Sequence, residues 1–213
     1  MIASEPTSPK RESSVSSKGQ TIIASDSISP KRESSVSSKD ESCIAIRRKA
    51  IVFEERAMTL RISSPVFTDG GEIPASFTCE GRDLSPELLF EGAPEGTQSL
   101  ALIVDDPDAP DPAAPKMTWV HWVLFDLPPD TAGLPEGVTA LPAGTGKGLN
   151  DWKRTGYGGP CPPIGRHRYF FKLYALDTKL SHLEQPTKAK LRQAMEGHIL
   201  ADAQIIGTYQ KAG

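Results

Sequence analysis

Residues 99–110 read SLALIVDDPDAP, and the change of character at Asp105 decides the fold. Ser99–Val104 is apolar without alternation, which predicts a strand buried on both faces. A polar turn follows, with Asp105, Asp106 and Asp108 in a segment stiffened by Pro107 and Pro110. Val120–Leu127 and Tyr169–Leu176 repeat the first half of the pattern as apolar, strand-like runs. Leu60-Arg61-Ile62 and Leu88-Leu89-Phe90 are shorter strand candidates, and Phe67–Gly71 reads as a strand end running into a glycine turn. Loops rich in Gly and Pro separate these runs, so the expected fold class is an all-β sandwich. The connection from Pro128 to Pro163 is long, and a loop of that length in a compact domain is often locally structured or functional.

Only the C-terminus reads as helix. Thr187 is placed to cap it, and Leu191, Met195, Ile199, Ala203 and Ile206 follow at helical spacing. Gly197 inside that pattern suggests a kink. His198 lies beside the apolar face and is expected to be a partly buried packing residue.

With 213 residues the chain is long enough for one domain with a substantial core and a tail. The tail is visible as a duplication. SPKRESSVSSK occupies positions 8–18 and recurs at 29–39. Two Ser-rich, charged copies carry too little apolar surface to offset the entropy of ordering, so residues 1–57 are expected to be a disordered tail or linker. Lys10-Arg11 and Lys31-Arg32 give it a subsidiary reading as a phosphorylatable or anion-binding arm. Residues 44–57 hold a short amphipathic pattern, and the folded domain is expected over 58–213.

The net charge is −3, which supplies no basic surplus for nucleic acid. No apolar run reaches the ~18 residues of a membrane-spanning helix, and no secretory signal pattern opens the chain. Cys43, Cys79 and Cys161 are an odd set without CxxC spacing. They read as free thiols in a reducing, cytoplasmic setting, with a Cys79–Cys161 bridge left open.

The candidate chemistry gathers around three pieces: DDPDAP at 105–110, WVHW at 119–122 and GPCPPIGRHRY at 159–169. Rigid polar loops at the rim of a sheet suit a small-ligand pocket. His121 interrupts an apolar strand, so it is expected to be buried and to need a partner, for which a carboxylate would serve. His167 opens the third strand, and alternation turns Arg168 away from it. Glycine amides at 158–165 are possible anion donors, but Pro160, Pro162 and Pro163 have no N–H to give. A two-histidine, one-carboxylate metal site from Asp106, His121 and His167 lacks supporting HxD or HxxxH spacing. A Cys161–His167 nucleophile would sit between prolines with nothing to lower its pKa. No Walker loop or GxGxxG motif opens a helix.

Taken with IP at 73–74, FTCEG at 77–81, LSP at 84–86, HRYFFKLYALD at 167–177 and AMEGHILA at 194–201, these motifs resemble the phosphatidylethanolamine-binding protein family. The resemblance is to its bacterial and archaeal branch of Raf kinase inhibitor-like, YbhB/YbcL-like proteins, and covers about Met58 to Lys211. It implies a Greek-key antiparallel β-sandwich with C-terminal helical structure and one small anion pocket. Carried over by motif, that pocket takes Asp106, Asp108, His121 and His167, with Pro110, Pro162 and Tyr169 as wall or rim. The implied partner is a small phosphorylated molecule or a phospholipid head group, bound without catalysis, cofactor or metal. His121 and His167 would be the anion donors, Asp106 the orienter of a histidine, and Asp108 a loop organiser or cation acceptor. Two other readings remain at this stage: a kinase-inhibitor-like regulator that recognises a phosphorylated segment of a protein partner, and an Asp/His hydrolase.

Overall fold

The computed structural model describes residues 59–212, so the duplicated tail and the amphipathic pattern at 44–57 lie outside the described residues. Eight strands form two antiparallel sheets. The small sheet has the order β1 (Arg61–Ser63), β2 (Leu88–Glu91), β5 (Gly133–Leu134). The large one runs β6 (Gly146–Lys147), β4 (Met117–Leu127), β3 (Ser99–Ala109), β7 (His167–Leu176), β8 (Ile199–Tyr209). β3 and β4 are hairpin neighbours, and the chain then crosses over so that β7 returns to the other side of β3, the Greek-key habit of a β-sandwich.

The continuous apolar character of β3 has a two-sided cause. Leu100, Leu102 and Val104 face the core between the sheets, beside Ile62, Leu88, Phe90 and Leu134 of the small sheet. Ala101 and Ile103 face the other way, in a second core with Leu191 and Met195 of helix α1 (Lys188–Met195). β7 alternates likewise, with Phe171, Leu173 and Ala175 between the sheets and Tyr174 and Leu176 in the second core.

The predicted C-terminal helix is half helix and half strand. Thr187 caps α1, accepting from the Lys190 amide, and the helix ends at Met195. Gly197 adopts φ +80°, which turns the chain rather than kinking a helix. Ile199–Tyr209 then pairs with β7 in antiparallel register from Leu176↔Ile199 to His167↔Tyr209. The spacing misleads because residues four apart share a face in a helix and in a strand. His198 is likewise not a packing residue: its side chain is exposed, with Nδ1 2.8 Å from Asp177 Oδ1. Phe67 belongs to no strand, although it is buried in the inter-sheet core and the glycine turn after it is present.

The free-thiol expectation is overturned for two of the three cysteines. Cys79 and Cys161 form a disulfide with Cα atoms 5.4 Å apart across 82 residues of sequence. The argument for a reducing compartment falls with it. Cysteine spacing could not reveal the bridge, because the chain around Cys79 is placed by its contacts with β8, where Ile73 N–H donates to the Thr208 carbonyl and Tyr209 Oη to Glu80, whereas Cys161 lies in the loop that leads into β7. Among the described residues no helix is long and apolar enough to cross a membrane.

Candidate functional site

Two irregularities in the β3–β4 ladder aim the site. Val104 pairs with Trp122 but Asp105 pairs with Val120, so His121 is an extra residue on β4. The bulge lets His121 and Trp122 both turn toward the inner face of the large sheet, where strict alternation would allow only one. Further along, Asp106 pairs with Trp119 and Ala109 with Met117, so Pro107 and Asp108 stand opposite Thr118 alone. This second bulge carries the DPD turn, and a cis Ala109–Pro110 peptide follows it. On β7, ordinary alternation sends His167 and Tyr169 to the same inner face and Arg168 outward.

These side chains surround a cavity of about 340 Å³. Asp106, Pro110, His121, Pro162, His167 and Tyr169 line it. Asp108 does not: its carboxylate faces Arg168, accepting from the backbone amide at 2.9 Å and from Nε and Nη2 at 2.9 and 2.7 Å. The hydrogen bonds from Arg168 hold the Asp108 carboxyl below its ordinary value. The three aspartates therefore have three separate positions. Asp105, fully buried, turns to the opposite face and binds Lys172 and Lys188. Asp106 accepts the Asp108 amide at 2.8 Å through Oδ1 and faces His167 Nδ1 at 2.7 Å through Oδ2.

The two histidines differ in what they leave free. His167 Nδ1 meets Asp106, and its Nε2 lies 3.0 Å from the Ile164 carbonyl, so both ring nitrogens face protein acceptors. His121 donates from Nδ1 to the Gly158 carbonyl at 2.6 Å, not to the carboxylate expected from the sequence. Its Nε2 is buried and has no partner. Burial holds this imidazole below its ordinary value of 6.5, so at neutral pH Nε2 carries a lone pair and accepts. The Tyr169 hydroxyl is also buried without a partner, and burial, with Asp106 nearby, pushes its pKa up, so it is a donor. Of the four such unpartnered atoms among the described residues, these two belong to this cavity. A wider depression of about 670 Å³ beside β6 and residues 183–185 contains none of them.

Aromatic rings complete the walls. His121 meets Trp152 and Tyr169 edge-on, each with centroids 5.2 Å apart, and Trp119 meets Trp152 at 5.4 Å. Trp152, Met117, Cys161 and Pro163 also line the cavity; sequence reasoning placed none of them in the pocket wall and considered Cys161 only as a nucleophile or a disulfide partner. Trp152 sits in the long loop with no local pattern to mark it. Its indirect signature is Gly158, where an added Cβ would stand 2.6 Å from the indole. Two of the three glycine amides offered by the sequence as anion donors are occupied: Gly158 N–H donates to the His121 carbonyl and Gly159 N–H to Asp83 Oδ1.

A family model described as phosphatidylethanolamine-binding protein matches residues 63–210, and the chain belongs to that family. It is 47% identical over 155 residues to a UPF0098 protein of Methanothermobacter thermautotrophicus, a match covering 71% of this chain and 99% of the relative. The crystal structure of a phosphatidylethanolamine-binding protein homologue from Chlamydia trachomatis is similar at 41% identity and a TM-score of 0.68, over 73% of this chain and 99% of that one. E. coli YbcL, described as a member of the mammalian family, aligns at 32% identity and a TM-score of 0.65, over 72% and 99%.

Proposed function

We propose that the cavity binds a phosphate or phosphomonoester group, without catalysing a reaction on it, and that this is the protein's molecular activity. The observation that carries the reading is the pair of unpartnered atoms, His121 Nε2 and Tyr169 Oη, buried on one wall. A buried polar group without a partner costs about 1–3 kcal/mol, so a ligand that satisfies both recovers that cost on binding. Tyr169 offers a donor and neutral His121 an acceptor. A phosphate that keeps one proton matches both, giving a P–O⁻ to the phenol and a P–OH to Nε2. His167 forms the polar wall beside them with both ring nitrogens already on protein acceptors, and Asp106 holds that ring in place. Asp108 organises the turn through Arg168 rather than touching the ligand.

The donor–acceptor pairing predicts selectivity. Sulfate carries no proton near neutrality, so it needs His121 protonated, which burial disfavours. Phosphate brings its own proton. At pH 7.5 phosphate should therefore bind more tightly than sulfate, and sulfate should gain as the pH falls below 6.5. Titration of both anions into the full chain, followed by amide NMR shifts, tests this. Saturable phosphate shifts that disappear in Tyr169→Phe/His121→Asn support the reading. Equal shifts in that double variant, or equal affinity for the two anions at pH 7.5, would sink it.

A further inference from the structure

The Cys79–Cys161 bridge stands where the candidate pocket meets solvent. We propose that it is a thiol–disulfide exchange site, and that its reduction by a small thiol or dithiol frees the 160–166 loop and weakens anion binding in the pocket. The inference rests on the phosphate reading above and adds a control to it.

Three observations carry it. Both half-cystines are exposed, so an attacking thiolate has access to the bond, and exposed disulfides are the labile ones. Cys161 is itself part of the cavity wall, beside Pro162 and Pro163. The loop it anchors also has few other ties. Pro160, Pro162 and Pro163 contribute no amide. Upstream the chain is fixed by Gly158 N–H on His121 and Gly159 N–H on Asp83, and by the Cys79 amide donating to the Pro160 carbonyl at 3.1 Å. From Cys161 to Arg166 the polar ties are Ile164 O with His167 Nε2 at 3.0 Å and exposed contacts of Arg166 Nη1 with Glu72 at 3.1 Å and Thr208 Oγ1 at 3.5 Å, while Pro162 is held by burial. The bridge is thus the covalent tie between this wall of the pocket and the 78–83 loop, added to the Gly159–Asp83 and Pro160–Cys79 hydrogen bonds just upstream.

The step balances as ordinary exchange. A thiolate attacks one sulfur, the S–S bond breaks, and the other cysteine leaves as thiolate and is protonated. A second thiol resolves the mixed disulfide. The protein gains two electrons and two protons as two thiols, and the reductant leaves as its own disulfide. If the untethered loop occupies its binding geometry about a tenth of the time, the apparent Kd rises about tenfold.

The experiment compares the full chain, in a Cys43→Ser background, oxidised and after exchange with reduced glutathione or dithiothreitol under native conditions. Three readouts run together: phosphate affinity by NMR, hydrogen exchange across 157–166, and near-UV circular dichroism. The expected result is a reversible, about tenfold loss of phosphate affinity with faster exchange confined to the loop, reproduced by Cys79→Ser/Cys161→Ser. Equal affinity in both states, a bond that resists native exchange, or loss of the near-UV signal on reduction each overturns the proposal, the last by making the bridge a structural staple. If the oxidised protein binds no phosphate, the anion reading fails by itself. Loop release is then judged from hydrogen exchange alone, and unchanged exchange rejects it too.

Discussion

His121 is buried by its neighbours and stays neutral at its own expense. The unfolded chain takes up a proton near pH 6.5, whereas burial keeps the folded ring neutral to lower pH. Between those two values the unfolded state binds more protons. Stability from this residue is therefore whole above pH 6.5 and declines as the pH falls from there toward the lowered folded value. Asparagine can keep the donor to Gly158 without titrating. His121→Asn should therefore flatten the slope of the urea midpoint between pH 7 and 5, and a slope equal to wild type would assign the effect elsewhere. Tyr169 makes the complementary case. Its hydroxyl lacks a protein partner, so Tyr169→Phe removes a liability rather than a bond. The thermal midpoint should stay level or rise, while phosphate affinity drops about tenfold, the value of one hydrogen bond of ~1.4 kcal/mol. A variant that loses stability and affinity together would indicate that the hydroxyl serves the fold.

At the level of elements, the C-terminal segment shows what decides between helix and strand. Leu191, Met195, Ile199 and Ala203 fit both periods, so periodicity alone was neutral there. The deciding local features were Gly197 and the β-branched Ile199, Ile205, Ile206 and Thr208 beyond it. Gly197 has φ +80° with nothing within 4 Å of an added Cβ. Gly197→Ala should thus cost about 1–2 kcal/mol from backbone strain alone, read as a lower urea midpoint at unchanged m-value. No measurable loss would mean that the turn relaxes. The long strands were legible because their burial leaves continuous apolar runs, and Asp106, His121 and His167 were legible because polar groups interrupt or end those runs, whereas Tyr169 entered with the family resemblance. The bulge at His121 was not legible. It depends on pairing between β3 and β4, and no residue of WVHW announces which member is the extra one. Trp152 and the disulfide were hidden for the same reason, since each is defined by a loop that only the folded sheet brings near.

Across the whole molecule, the large sheet gives its two faces different work, and β3 shows the division within two residues. Asp106 turns to the cavity on the inner face, and Asp105 turns to the outer face. There one buried carboxylate holds two ammonium groups, Lys172 of β7 at 2.8 Å and Lys188 at the start of α1 at 2.5 Å. Three elements are thereby joined at a single acid. The lysine side chains remain about a quarter exposed, so their charges can reach water if the acid is lost. For that reason the cost of Asp105→Ala should fall at or below the ~3–5 kcal/mol typical of breaking a fully buried pair. It should loosen α1 against Ile103 and Leu176 before it disturbs the inter-sheet core. Hydrogen exchange in α1 should accelerate, while phosphate affinity stays within about twofold of wild type. Together with Tyr169→Phe this forms a crossed test: one variant lowers stability and spares binding, the other lowers binding and spares stability. If Asp105→Ala also abolished phosphate binding, the two faces would be coupled through β3, and the assignment of separate roles to neighbouring aspartates would be wrong.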